Sequence, residues 1–398
     1  MNKLLRLSSL GVLLATAALP AAIESAALAQ EQPASIAPAT PLAAAAWTRD
    51  AAQALLTYVE GIGAEGIDPA TYGPERLRSA IQSRDEAQIG TAATDIFLRL
   101  ATDLSGGAVR GNARVDWHMT HNAIDAGAQR ELMARAASSG NVAEALNGLL
   151  PVHPQYRGLR RALEITPAGE TATRALIRTN MERWRWMPRT LGQRHVIVNV
   201  PAFTAAIVDE GRVIARHRTV VGAVRTPTPQ LNATIRAVTF NPWWHVPQSI
   251  IREMGGRFGA DYEVRRNGEQ LTVRQQPGPR NSLGRVKIEM PNDHAIYLHD
   301  TPAQALFART ARAYSHGCIR TQNVRDFAAL LLAPTGEWRR PQIDRTISAG
   351  RTVSANLAAP IPVYIAYFTA AATDEGEIVR YNDVYGRDAP VKRALGAI

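Results

Sequence analysis

His195-Val196-Ile197-Val198-Asn199-Val200, then Ala205-Ala206-Ile207-Val208, Asp209-Glu210-Gly211 and Arg212-Val213-Ile214-Ala215, decide the fold class. Across this stretch the apolar pattern leaves the helical period and becomes strand-like. Asp-Glu-Gly between two apolar runs reads as a hairpin with a short loop. Downstream, Thr234–Phe240, Leu271–Val273, Val286–Ile288 and Ala295–His299 read as further strands. Gly222, Pro227, Pro229, Pro277, Gly278, Pro279 and Gly284 punctuate them. Short strands in close succession predict a sandwich or barrel-like core. Helix returns at Val324–Leu332, and Ile361–Ala366 and Glu377–Arg380 have strand character again.

Upstream of the hairpin the period is helical. Leu176–Trp186 reads as a helix, and so does most of Trp47 to Ala168. Ser83-Arg84-Asp85-Glu86 looks like a capping box. Behind it Ile89, Ile96, Leu100 and Leu104 recur at helical spacing. Glu131–Leu150 reads as a helix pair broken at Ser138-Ser139-Gly140, and Ile165–Gly169 marks a boundary. The expected class is α+β: a helical domain over residues 47–165, then a mainly β domain with short helices over 177–390.

A chain of 398 residues has room for two or three domains. With 46% hydrophobic and 20% charged residues it is globular in composition, which excludes wholesale disorder and fibrous repeats. Its 45 basic and 35 acidic residues leave +10, a balance suited to a polyanionic neighbour. Arg183-Trp184-Arg185-Trp186 mixes basic and aromatic residues, but no nucleic-acid fold signature accompanies it, so no nucleic-acid partner is expected. Lys3 and Arg6, the apolar run Leu10–Leu19 and the Ala27-Leu28-Ala29 site describe a secretory signal peptide over residues 1–29. Residues 30–46 read as a flexible leader. The mature protein is then expected to be exported to the periplasm and peripheral to the membrane at most, with an uncleaved anchor as the alternative.

The chain has one cysteine, which rules out an intrachain disulfide and a thiolate-rich metal site. It sits in Tyr314-Ser315-His316-Gly317-Cys318-Ile319-Arg320. Neighbouring His and Arg can stabilise a thiolate, and Gly317 permits a turn that aims amide N–H groups at an oxyanion. The alternative is a buried structural Cys. His299, 19 positions upstream at the end of an expected strand, can serve as the base. Asp300 is its sequence neighbour, but adjacent strand residues face opposite ways, so the Asp300 carbonyl suits orientation of the ring better than its carboxylate. His245, His294, His299 and His316 show no metal-motif spacing, and His118 with His121 lacks a third ligand, so no metal or cofactor is expected.

His299, a 16-residue gap and then His316-Gly317-Cys318 resemble the signature of the L,D-transpeptidase catalytic domain. Further blocks resemble the family's large periplasmic branch: Asn180–Trp186, Val198–Phe203, Phe240–Pro247, Gln276–Asn281, His299–Pro302 and Val384–Asp388. The likeness covers about residues 177–390. Residues 47–165 resemble that branch's scaffold domain more loosely, at Gly66-Ile67-Asp68-Pro69 and Pro154-Gln155-Tyr156-Arg157. One departure is the wall-binding module usual between the two. Only Leu159–Leu176 is available for it, too little chain for a packed unit.

The resemblance implies attack by the Cys318 thiolate on a diaminopimelate–D-Ala bond of a peptidoglycan stem peptide. His299 is then general base and acid, and the thioester passes to a second diaminopimelate amine, giving a 3→3 cross-link. His316, Gly317 and Tyr297 belong to the oxyanion and loop group. Arg320, Trp244, Ser315 and Asp300 fall on the substrate side, Arg320 as a carboxylate fork or a structural ion pair and Ser315 also as a loop cap. Residues 246–276 read as a cap over the cleft or a plain surface insertion. Water, or the amine of an outer-membrane protein, are the alternative acceptors, and a non-catalytic wall-binding protein is the alternative class.

Overall fold

A computed structural model describes residues 47–119, 123–373 and 375–396. The expected signal peptide, the leader and His121 lie outside the described residues.

The first half is helical: α1 Arg49–Gly61, α2 Pro74–Ser83, α3 Glu86–Gly106, α4 Ala126–Ser139, α5 Val142–Asn147 and α6 Pro154–Ile165. Helix α3 forms because Ile89, Ala93, Ile96, Leu100 and Leu104 fall on one face, and all are buried there. They meet Leu55, Val59 and Leu146 in one core. Each such large apolar side chain contributes about 1.5–3 kcal/mol. The cap of α3 differs from the expected box. Ser83 closes α2, Arg84 turns left-handed, and Asp85 is the N-cap, accepting from the N–H groups of Ala87 and Gln88. A carboxylate at the N-cap also favours the positive end of the helix. The Ser138-Ser139-Gly140 break stands one residue later than its serines suggest, since α4 runs through both and Gly140 ends it at φ 76°.

Helix α7, Thr171–Trp186, joins the halves. Arg183-Trp184-Arg185-Trp186 lies in the interior rather than on a basic surface. Arg183 reaches Asp388 at 2.6 Å, and Arg185 reaches Glu182 at 2.8 Å with both side chains fully buried. Glu182 also accepts from the Val109 N–H and from Trp186. Helices α6 and α7 share a core with Tyr364, Ala366 and Phe368, so the helical half rests directly on the β half.

The β half contains β1 Arg194–Asn199, β2 Thr204–Asp209, β3 Arg212–Gly222, β4 Leu231–Phe240, β5 Trp244–His245, α8 Gln248–Glu253, β6 Tyr262–Asn267, β7 Gln270–Gln275, β8 Val286–Glu289 and β9 Leu298–His299. There follow β10 Ala313–Ser315, β11 Ile319–Thr321, α9 Val324–Leu332, α10 Arg340–Ser348, β12 Val353–Ala366, β13 Ala370–Ala372, β14 Ile378–Arg380 and α11 Asp388–Ala394. Nine strands form one sheet in the order β10-β3-β11-β9-β8-β4-β12-β1-β2, and an added β2–β3 pairing closes it into a barrel-like sheet. Strands β1 and β12 run parallel, with Val196 opposite Val363. Residues alternate across the pleat, so Val196, Val198, Ile288, Leu298, Ile319 and Val363 fill the interior against Phe327 and Leu331 of α9. The expected strand over Ala295–His299 is shorter than its apolar run. Ala295 adopts φ 53°, a turn that precedes β9. Strands β5, β7 and β6 make a separate small sheet, with Trp244, Val246, Ile251 and Val273 packed under α8.

Candidate active site

Parallel pairing of β9 and β11 sets Ile319 beside Leu298 and Arg320 beside His299. The Ile319 N–H donates to the Tyr297 carbonyl at 3.0 Å, which fixes Cys318 next to Tyr297. Leu298 and Ile319 point into the core, so Tyr297, His299, Cys318 and Arg320 share the other face. On the far side of β9, Lys287 is the cross-strand partner of His299, and its ammonium lies 4.8 Å from the centre of the Tyr297 ring. The Tyr297 and His299 rings stand edge to face at 5.5 Å.

The loop that carries Cys318 is held by its own polar groups. Ser315, buried, donates to the Cys318 carbonyl at 2.5 Å and accepts from the Gly317 N–H at 3.2 Å. Thr228 donates to the Gly317 carbonyl at 2.7 Å and accepts from the Gly222 N–H at 2.8 Å. Gly317 takes φ 114°, a region that side chains resist, and a Cβ there would lie 3.3 Å from Ile296. The Cys318 thiol donates to the Ala295 carbonyl at 3.6 Å.

Burial outweighs the lowering that a neighbouring His and Arg can give the thiol. Burial pushes the Cys318 thiol above its ordinary value. The Tyr297 N–H and hydroxyl, then Lys287 and Arg320, act the other way without reversing it. Burial, and next the Arg320 guanidinium, push the His299 imidazole down to about 3. The Asp300 and Leu283 carbonyls oppose that shift. His299 Nδ1 is nevertheless buried without a hydrogen-bond partner among the described residues. The free site therefore holds a thiol and a neutral imidazole. Arg320 is half-buried, its own pKa lowered by burial, and its Nε has no partner among the described residues.

Tyr297, His299, Gly317, Cys318 and Arg320 thus come together. The others are placed differently. The Asp300 carboxylate accepts from the Arg285 N–H at 2.8 Å and packs on Gly284, where a Cβ would stand 2.4 Å from it, so it holds a turn rather than the ring. The Ser315 hydroxyl is a loop brace. Trp244 is buried in the small sheet's core and interacts with the Tyr297 hydroxyl, while Trp243 stacks under Arg274 at 4.3 Å. His316 projects outward and pairs with Glu253 of α8 at 2.8 Å, linking the loop to the 246–276 segment. The sequence reading missed Lys287, Thr228 and the Ala295 carbonyl. Nothing local marks them, since their roles come from pairing across the sheet.

Comparisons with known proteins place both halves of the chain beside described domains. Residues 193–355 match the L,D-transpeptidase catalytic domain, and residues 42–163 match the scaffold domain. A Haemophilus influenzae protein named "Putative L,D-transpeptidase" is 29% identical over 241 residues, covering 54% of this chain and 48% of that protein. The chain thus spans about half the length of this curated relative. Among solved structures, an L,D-transpeptidase from Mycobacterium smegmatis is 15% identical with a TM-score of 0.24, covering 44% of this chain and 58% of that one. L,D-transpeptidase 3 from Mycobacterium tuberculosis, in complex with a faropenem-derived adduct, is 14% identical with a TM-score of 0.24, covering 44% and 60%. The chain thus carries, in order, a stretch similar to the scaffold domain and a stretch similar to the L,D-transpeptidase catalytic domain.

Proposed function

We propose that this chain is an exported, cysteine-dependent L,D-transpeptidase that makes 3→3 peptidoglycan cross-links. The observation that carries the reading is the shared face of Tyr297, His299, Cys318 and Arg320 on two paired strands. The Cys318 sulfur attacks the diaminopimelate carbonyl of a donor stem peptide. The thiol proton passes to His299 and then to the departing D-Ala nitrogen as the C–N bond breaks. Because the resting pair is neutral, this transfer accompanies attack rather than preceding it. The Gly317 N–H is already engaged by Ser315, so the oxyanion falls to the Tyr297 hydroxyl and the neighbouring loop N–H groups. Arg320 supplies a fork for a substrate carboxylate. In the second half, a diaminopimelate amine attacks the thioester carbon. A C–N bond forms, the C–S bond breaks, and the amine proton returns to sulfur through His299. Trp244 and the 246–276 segment keep water from the thioester.

Product analysis tests the reading. Protein is incubated with a diaminopimelate-containing disaccharide tetrapeptide and the products are read by mass. Cross-linked dimer with released D-Ala, both lost in Cys318→Ala, is the expected result. Tripeptide without dimer assigns a carboxypeptidase or an enzyme for a protein amine. No Cys318 adduct and no turnover overturns the enzyme reading.

A further inference from the structure

The Cys318 loop is gripped from two sides. The first grip is the chain between β3 and β4. Besides the Thr228 bonds, the Ala223 N–H donates to the Ser315 carbonyl at 2.8 Å, and the Thr226 hydroxyl donates to the same oxygen at 3.1 Å. Residues 222–230 thus hold the loop at both Ser315 and Gly317. The second grip is the turn at Ala295, whose carbonyl accepts from the thiol itself. One segment of the scaffold half, Asp116-Trp117-His118, touches both grips. Gln230, buried, pairs with it as a short parallel bridge. The Gln230 N–H donates to the Asp116 carbonyl at 3.0 Å, and the His118 N–H donates to the Gln230 carbonyl at 2.7 Å. The Asp116 carboxylate accepts from the buried Arg387, whose same Nη2 donates to the Thr228 carbonyl at 3.4 Å. Tyr385 completes this side: its hydroxyl accepts from the Thr228 N–H at 3.2 Å and donates to the Gly222 carbonyl at 2.6 Å. On the other side the His118 ring lies against the ring of His294, centroids 4.1 Å apart, one residue before Ala295. The segment is itself anchored, since Trp117 meets Trp186 of α7 edge to face at 5.4 Å and the His118 ring bonds the Asp116 carboxylate at 2.9 Å.

We infer that Asp116 and His118 are positioning residues for the thiol, through which the scaffold half sets the rate of Cys318 acylation. Asp116 acts through Arg387 and Thr228 on Gly317, and His118 acts through His294 on the Ala295 carbonyl. Neither has to meet substrate. A reacting sulfur tolerates little displacement, because about 1 Å of misplacement can cost about 100-fold in rate. Two contacts on opposite sides of one loop fix such a position better than either alone. The inference rests on the transpeptidase reading for its substrate, but its geometry is independent of that reading.

Two readouts on the full chain test it. One is acylation by the tetrapeptide donor, followed by intact mass over a range of donor concentrations. The other is alkylation by iodoacetamide at pH 7, which needs no substrate. Asp116→Asn suits the left-handed backbone at φ 54° and removes the charge that holds Arg387. His118→Ala removes the ring contact from a side chain that is 40% exposed. Each is expected to slow maximal acylation at least about tenfold, with the half-saturating donor concentration little changed. Each is also expected to alkylate about threefold faster or more, because the thiol is freed from the Ala295 carbonyl. Acylation should still run to completion as a single exponential. Variants that match wild type in both readouts overturn the inference. So does a higher half-saturating concentration at an unchanged maximal rate, which would put the segment in donor binding. So does wild-type acylation of only part of the protein, which a merely structural role would give. If Asp116→Asn fails to fold, His118→Ala decides alone. Absence of any adduct in the wild type overturns the transpeptidase reading, and the alkylation comparison then decides the inference by itself.

Discussion

At the scale of the residue, the proposed chemistry turns on a thiol that burial pushes above its ordinary value. Alkylation of Cys318 by iodoacetamide should therefore stay slow at pH 7 and rise only above the ordinary thiol range of about 8.5. A rate that already plateaus below pH 7 would contradict this. Tyr297→Phe removes a group that favours the thiolate, so it should move the alkylation profile further up and slow acylation about 10–100-fold, read by intact mass. His299→Gln should cost about 10²–10⁴-fold in cross-linking. Arg320→Gln removes a cation that depresses the imidazole, so the acid limb of the pH–rate profile should move upward. Cys318 and His299 were legible because the motif spacing carries them. The direction of the thiol shift was not, because it depends on burial, and nearby His and Arg in sequence suggest the opposite. Ser315 and Asp300 were visible as polar residues near the motif, but which oxygen meets which N–H is set by the loop's path.

At the scale of the element, the Cys318 loop depends on Thr228, a neighbour outside it. Thr228→Val keeps the shape but leaves the Gly222 N–H and the Gly317 carbonyl unpaired, at about 1–3 kcal/mol for each. The expected result is a lower Tm with a larger loss of acylation rate than of donor affinity. The His316–Glu253 contact is different, because both side chains are about half exposed. Glu253→Gln should change stability by less than about 1 kcal/mol, measured by denaturant unfolding. Among the elements, α3, α9 and the β2–β3 hairpin could be read from periodicity and turn chemistry. Helices α10 and α11 and the left-handed turn at Ala295 were missed. Short helices carry weak periodic signals, and β9 is cut to two residues by the fold around Asn292, whose amide bonds the Met290 and Ile296 carbonyls.

At the scale of the whole molecule, the two halves are tied by buried charge. Glu182→Gln weakens a fully buried pair with Arg185 and should lower stability by about 3–5 kcal/mol, with helical and β signals melting together. Buried histidines set the acid limit. His299 is held at about 3 and His153 at about 4 by burial, and His195 is lowered as well. Their unfolded value is about 6.5, so between that pH and 4 the unfolded chain binds more protons than the native one. Tm should be flat from pH 6.5 to about 8 and fall as pH drops below 6.5, and His153→Gln should flatten part of the slope. The parallel β1–β12 pair has a further consequence, in time rather than space. Strand β1 ends at Asn199 and its partner β12 begins at Val353, so a long stretch must be in hand before the sheet can close. The helical core from Trp47 to Leu146 needs no such wait. Refolding should show a fast helical phase and then a slow one in which the sheet forms, since distant pairings bear loop-closure entropy before any reward. Through that interval β1 presents an open edge, which makes the late stage of folding the moment of greatest exposure to aggregation.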